Sequence, residues 1–264
     1  MSRHHERGLP ESDEPVIYER VGSSAVVTIN RPHRRNAING EAADALEAAY
    51  ERFVADDGAL CMILTGAGEE AFCAGADLKE VASLYPRLEA EGGPLGFTRR
   101  ISPKPTIAAI SGWALAGGFE LALWCDLRVC AAGATFGFAE RRWGVPLVDG
   151  GTQRIARIVG LGVALDLLLT GRMVQLDEAQ RIGLVTQHVP RGMHLDAALD
   201  LSEKLAEFPV ETMLADRAAL LAGIGLPLRD GLALEAENGP ATAAVAAEGA
   251  GRFADGAGRG GDGV

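Results

Sequence analysis

No apolar run in the 264 residues approaches the roughly 20 needed to cross a bilayer. The longest, around 107–115 and 159–170, are short or interrupted by Gly, Ser or Asp, so no membrane-spanning segment is expected. Cysteine is scarce and unpaired. Cys61, Cys73, Cys125 and Cys130 are scattered through apolar segments without CxxC spacing or a nearby histidine, so they read as buried reduced thiols and neither as disulfides nor as metal ligands. Positive charge is short too. A formal net charge of −11 argues against nucleic-acid binding, which needs a clustered basic surface, but it does not exclude a phosphorylated ligand held by local groups. Residues 1–14 mix Arg, His, Glu, Asp and Pro and lack the apolar core of a signal peptide; they are expected to be a disordered leader on a cytoplasmic protein.

What is present is enough apolar residue, 48%, to bury a substantial core. Residues 16–20 and 25–30 are rich in β-formers and flank Gly22-Ser23-Ser24, which predicts a hairpin. Leu46, Ala49, Tyr50 and Phe53 recur at helical spacing behind Asn39, a suitable N-cap, and predict a helix over 41–54. Strands are expected at 60–65, 106–110 and 127–131, and helices at 118–124 and 152–159. Strands alternating with helices indicate an α/β core over 15–192. From 193 to 264 the pattern becomes almost continuous helix, at 195–208, 211–222 and 228–247, ending in a flexible Gly-rich tail from Gly256. Such an elongated tail cannot bury both faces against itself, so it is expected to pack on another subunit.

Between Lys104 and Asp126 the only charged side chain is Glu120, set in Gly117-Gly118-Phe119-Glu120-Leu121-Ala122-Leu123-Trp124. In the first turn of a helix the dipole favours a carboxylate, and the group could simply face water. With Phe, Leu and Trp around it, burial is the stronger reading, and burial raises a carboxyl pKa toward the range useful for proton transfer near neutrality. Gly117 and Gly118 leave backbone N–H groups open to a ligand at the helix start. A second bend, Phe72-Cys73-Ala74-Gly75-Ala76-Asp77, follows another strand. Amides from two such turns would make an oxyanion hole.

These segments, together with Asn30-Arg31-Pro32, Asn36-Ala37, Pro103-Lys104-Pro105, Phe136-Gly137, Gly150-Gly151-Thr152-Gln153-Arg154 and Thr170-Gly171-Arg172, resemble the enoyl-CoA hydratase, or crotonase, superfamily in order and spacing over about 16–189. The resemblance implies a crotonase-like spiral of ββα units, a C-terminal α-helical oligomerisation region and a homo-oligomer, a trimer or dimer of trimers. It implies that the N–H groups of Ala76 and Gly117 hold a thioester oxygen and that Glu120 and Glu140 flank an acyl double bond. Water addition at C2=C3 needs a base to activate water and an acid to protonate C2, roles assigned to Glu120 and Glu140 respectively. Without the resemblance, Glu140 beside Arg141 and Arg142 would read as part of a solvated charge cluster.

By the same resemblance coenzyme A, carried by an acyl-CoA substrate and with no other cofactor, lies along Ala37, Ala74, Asp77 and Gly118, with adenine near Ala37. Arg34, Arg35 and Lys79 are candidates for its phosphates. The apolar stretch 81–101, with Leu84, Tyr85, Leu95 and Phe97, is the candidate acyl pocket. Two departures stand out. After Glu248-Gly249 the family's basic pair is replaced by Gly256-Ala257, and an acid, Asp149, occupies the loop before Gly150. Asp149 reads as an N-cap for the helix near Thr152 in preference to a third catalytic acid. The alternatives to an enoyl-CoA hydratase of fatty acid metabolism are double-bond isomerisation, hydrolysis or dehalogenation of a CoA thioester with Asp149 recruited, and an inactive CoA- or RNA-binding scaffold.

Overall fold

The computed structural model describes residues 12–256; the expected leader lies mostly outside them, as does the Gly-rich tail beyond Gly256. In chain order the strands are β1 (Val16–Val21), β2 (Ser24–Ile29), β3 (Cys61–Gly66), β4 (Ala71–Cys73), β5 (Thr106–Ile110), β6 (Trp113–Leu115), β7 (Leu127–Ala131), β8 (Thr135–Gly137), β9 (Val174–Gln175) and β10 (Gln187–Val189). The helices are α1 (Gly40–Ala55), α2 (Gly117–Trp124), α3 (Gly151–Val159), α4 (Leu161–Thr170), α5 (Leu176–Arg181), α6 (His194–Ala206), α7 (Val210–Gly223), α8 (Leu228–Ala236) and α9 (Asn238–Ala254). The chain divides into two compact units between Ser202 and Glu203.

In the first unit a six-stranded sheet runs β1-β2-β3-β5-β7-β10, and a smaller one runs β4-β6-β8-β9. The chain passes repeatedly from a strand of the large sheet to one of the small sheet: β3 to β4, β5 to β6, β7 to β8. Helix α2 follows β6 and α3 follows β8, so the architecture is the expected spiral of ββα units. Every residue of β2, β3 and β5 is buried, as parallel strands covered on both faces require. Their alternate side chains feed two cores. Val27, Met62, Leu64, Ala108 and Ile110 pack toward α1 and α2, while Val26, Ile63, Ile107, Ala109 and Val129 pack with Ala198 and Leu199 of α6.

Helix α1 begins where its cap predicts, with the Ala42 N–H donating to Asn39 Oδ1 at 3.0 Å. All four cysteines are buried and free. The small sheet escaped sequence analysis because its strands are only two or three residues long, too short to show a period. The helix expected over 228–247 is in fact two. They divide at Glu237, because Pro240 lacks an N–H and its ring would collide with the carbonyl four residues back, so it is tolerated only in the first turn of α9.

Two features fix α2. At its start, a Cβ on Gly118 would stand 2.1 Å from the Cys73 carbonyl oxygen, so only glycine lets the helix lie on β4. At its end, the buried Arg128 of β7 donates from Nη1 to the carbonyls of Cys125 (2.7 Å) and Ala122 (3.3 Å), and from Nε to that of Leu184 (2.6 Å). A cation at the last carbonyls of a helix satisfies acceptors that have no partner within it. Gly118→Ala is expected to lower the urea-unfolding free energy by about 1–3 kcal/mol or more, since the clash is with backbone. Gly162→Ala, where an added Cβ meets nothing within 4 Å among the described residues, should be neutral or slightly stabilising.

Candidate active site

The bend between β6 and α2 builds the first part of the site. Ala116 sits at φ 51°, a left-handed region costing a non-glycine residue about 1–3 kcal/mol. Its N–H donates to the Gly137 carbonyl at 2.9 Å, and its own carbonyl accepts from Phe119 (2.9 Å) and Glu120 (3.0 Å). Among the described residues no acceptor meets the Gly117 N–H. At the other bend, Ile38 donates to the Gly75 carbonyl (2.8 Å) and accepts from Asp77 (2.7 Å), which leaves the Ala76 N–H between them equally open. The two turns touch. A Cβ on Gly75 would lie 2.9 Å from the Gly117 nitrogen, and one on Gly117 would lie 3.8 Å from the Ala76 nitrogen. Ala116 is not legible in the sequence as the strained position, because the neighbouring glycines are the natural candidates for positive φ.

Beside these amides opens a cleft of about 640 Å³ lined by Ala76, Gly117, Glu120, Glu140 and Asp149. Its remaining lining is mostly apolar, with Val81, Leu84, Tyr85, Leu88, Pro94 and Leu95 from the stretch expected to hold an acyl chain, and Trp143, Val145, Pro146 and Val148 from the segment after Glu140. Trp143, 70% exposed, was not anticipated. Phe97 is a correction: it is buried in the core, stacked on Tyr50 at 5.2 Å and tilted on Trp124 at 4.5 Å.

Glu120 is 2% exposed, and its Oε1 accepts the backbone N–H groups of Gly151 (2.7 Å) and Asp149 (3.0 Å). Burial, then the nearby Asp149, pushes its pKa from the ordinary 4.5 up to about 8, against the pull of the two amides. A Cβ on Gly151 would stand 2.9 Å from Glu120 Cγ, which explains glycine there. Glu140 is 5% exposed in a short turn, Ala139–Arg142, and neither carboxyl oxygen has a hydrogen-bond partner among the described residues. Burial pushes it up to about 7, with its own backbone amide and Arg141 opposing. A buried carboxyl without partners is costly unless something else fills its hydrogen-bonding capacity, and both open oxygens belong to a residue lining the cleft.

Asp149 is 3% exposed and does not cap α3, whose N-cap is Gly150 with no side-chain hydrogen bond. Its carboxyl turns instead to residues 93–98, where Oδ1 accepts from the Leu95 N–H (3.1 Å) and from the Thr98 hydroxyl. Burial raises its pKa. Of the other candidates, Arg35 and Ala74 line the cleft, whereas Arg34, Ala37, Asp77, Lys79 and Gly118 do not. Arg35 is exposed and pairs with Glu70 at 2.6 Å. Asp77 is buried and receives Arg31 at 3.3 Å and Arg34 at 4.0 Å, so its carboxylate is occupied by cations of its own chain. The buried Arg31, which also donates to the Ala37 carbonyl, organises this corner and was seen in the sequence only as part of a motif.

A family model described as enoyl-CoA hydratase/isomerase matches residues 19–256. The chain is 37% identical over 226 residues to a short-chain-enoyl-CoA hydratase of Clostridium acetobutylicum, covering 84% of this chain and 87% of that one. It is 41% identical over 180 residues to a crotonyl-CoA hydratase of Syntrophomonas wolfei, covering 67% and 69%. The crystal structure of an enoyl-CoA hydratase from Mycobacterium marinum superposes with a TM-score of 0.86 at 36% identity, over 92% of this chain and 96% of that one.

The raised pKa of Glu120 makes its burial a cost that grows with pH. The folded state holds a proton that the unfolded chain has released, so stability is full below about pH 4.5 and falls as pH rises toward about 8. Glu120→Gln keeps an acceptor for both amides and removes the charge. It is expected to stabilise the protein by about 1–3 kcal/mol more at pH 9 than at pH 5, read from denaturant midpoints; a gain independent of pH would contradict the buried, raised carboxyl.

Proposed function

Because the chain belongs to the enoyl-CoA hydratase/isomerase family, we infer that it is a hydro-lyase adding water across the C2=C3 bond of a 2-enoyl-CoA thioester to give a 3-hydroxyacyl-CoA. The observation that carries this reading is the pair of buried carboxyls, raised to about 8 and about 7, on a cleft bordered by two open amides.

The thioester oxygen lies against the Ala76 and Gly117 N–H groups. Charge that gathers on this oxygen as water adds is met by donors already in place, at no cost of reorganisation during the step. Glu120 takes a proton from water as the oxygen attacks C3, and Glu140 delivers a proton to C2 of the enolate-like thioester. The addition consumes one water and leaves the pair with the same total of protons, exchanged between the two carboxyls. The Asp149 and Gly151 amides at Glu120 Oε1 hold it in line and favour its ionised form. The Glu140 charge is among the groups that raise Glu120, and both carboxyls act on the same water, so the two are read as a coupled pair.

Coenzyme A follows the Ala74 and Ala76 bend, and Arg35 at the cleft wall is the cation placed to meet its phosphates, with Lys79, Arg34 and the backbone near Ala37, Asp77 and Gly118 farther from the cleft. The protein works as a cytoplasmic homo-oligomer, a trimer or dimer of trimers, in fatty-acid metabolism. The support for assembly is the second unit, whose helices α7, α8 and α9 contain no buried residue although Leu220, Leu228, Leu232 and Phe253 are large and apolar.

Incubation with a panel of 2-enoyl-CoA thioesters of different length, followed by product analysis, is expected to yield 3-hydroxyacyl-CoA; a panel-wide absence of hydration sinks the reading. Glu120→Gln and Glu140→Gln should each lower turnover by about 10²–10⁴. The double variant should lose much less than the product of the two, because both act on one step. Light scattering after size exclusion should report a trimer or hexamer, and an active monomer would refute the assembly.

A further inference from the structure

Asp149 connects parts of the cleft that lie far apart along the chain. Its main-chain N–H donates to Glu120 Oε1 at 3.0 Å, and its side chain accepts the Leu95 N–H at 3.1 Å and the Thr98 hydroxyl. Leu95 lines the cleft, and its side chain lies on Gly117, where a Cβ would come within 2.9 Å of Leu95 Cδ1. One residue thus touches the cradle of the carboxyl and the loop seated over an open amide. Arginines tighten the same junction. Arg154 donates to the carbonyls of Asp149 (2.9 Å) and Thr98 (2.5 Å), and Arg99 donates to that of Val148 (3.1 Å). Gly93, at φ 88°, leaves the space the Asp149 carboxyl fills: a Cβ there would stand 3.1 Å from its Oδ1.

We propose that Asp149 is a positioning residue that straps the 93–98 loop to the Glu120 cradle, so that the acyl wall at Leu95 and the water-activating carboxyl are set by a single side chain. The proposal rests on the hydratase reading for the identity of the reaction it serves. In an apolar cleft a loop displaced by about an ångström is enough to cost about 10²-fold in rate, because reacting groups lose their alignment. The carboxyl also places charge beside Glu120, which is faced in addition by Glu140 and by Arg154.

The test compares Asp149→Ala, Asp149→Asn and Thr98→Val in the full-length protein, with 2-enoyl-CoA hydration and binding of a saturated acyl-CoA measured side by side. Asp149→Ala is expected to lower kcat by about 30- to 100-fold while saturated thioester binding changes less than about threefold. Asp149→Asn keeps an oxygen for Leu95 and Thr98, so it should hold kcat within about tenfold of wild type and move the Glu120 limb of the pH profile to lower pH, since it removes a negative neighbour. Thr98→Val should lower kcat by several-fold, and it decides the question if Asp149→Ala fails to fold. The strap is overturned if Asp149→Ala or Thr98→Val keeps wild-type kcat with an unmoved pH profile. It is equally overturned if Asp149→Asn loses two or more orders of magnitude with binding intact, which would make Asp149 a proton carrier or nucleophile. A wild-type protein that binds saturated acyl-CoA yet hydrates none of the panel would sink the hydratase reading, an outcome separate from both.

Discussion

The structure depends on keeping one carboxyl, that of Glu120, out of water in the first turn of an apolar helix. An isolated buried charge is prohibitive, so the group must be neutral or well supplied with donors. Both solutions operate, a pKa raised to about 8 and two backbone amides on Oε1. Those amides come from a segment about 30 residues further along the chain, so the turn before α3 must approach α2 closely. Gly151 permits that approach, Gly118 lets α2 lie against β4, and Arg128 secures the far end of the helix.

The small sheet explains why two separate turns meet. β4 and β6 are parallel neighbours, and each is followed by a bend with positive φ, at Gly75 and at Ala116. Parallel register carries the two bends to one end of the sheet, where the Ala76 and Gly117 amides emerge together. Strain at Ala116 is held by hydrogen bonds on both sides of its peptide, in keeping with unusual backbone conformations persisting where the surroundings over-determine them. Three features of the cleft are costs to the fold: the Ala116 φ, the burial of the ionisable Glu120 and the unpartnered oxygens of Glu140.

Much of the large sheet could be read directly from the sequence, because β2, β3, β5 and β7 are short, mostly apolar runs rich in β-formers, and α1 carries both a cap and a helical stripe. Glu120 was legible for a complementary reason, a lone charge where every neighbour is apolar. Glu140 was not legible from its own neighbourhood. Arg141 and Arg142 disguise it as surface, and the resemblance alone drew attention to it. Asp149 was legible as an acid out of place, but its orientation was not, since the sequence around Gly150 and Thr152 suits a helix cap and nothing local reveals Leu95 and Thr98 on the opposite side.

The sequence by itself determined the α/β class, the strands and helices with strong periodicity, the break to a helical tail, and through its ordered motifs the family. Those properties depend on nearest neighbours along the chain and on patterns that repeat every two or 3.6 residues. Only the tertiary structure decided that four strands of two or three residues form a second sheet, that the Ala76 and Gly117 amides open side by side, that Arg31 and Arg128 are buried ties, and that Asp149 reaches the 93–98 loop. Each of these joins residues more than 20 positions apart, and the energy that selects them, burial of carboxyls, satisfaction of helix ends and close approach at glycine, exists only once the layers have packed.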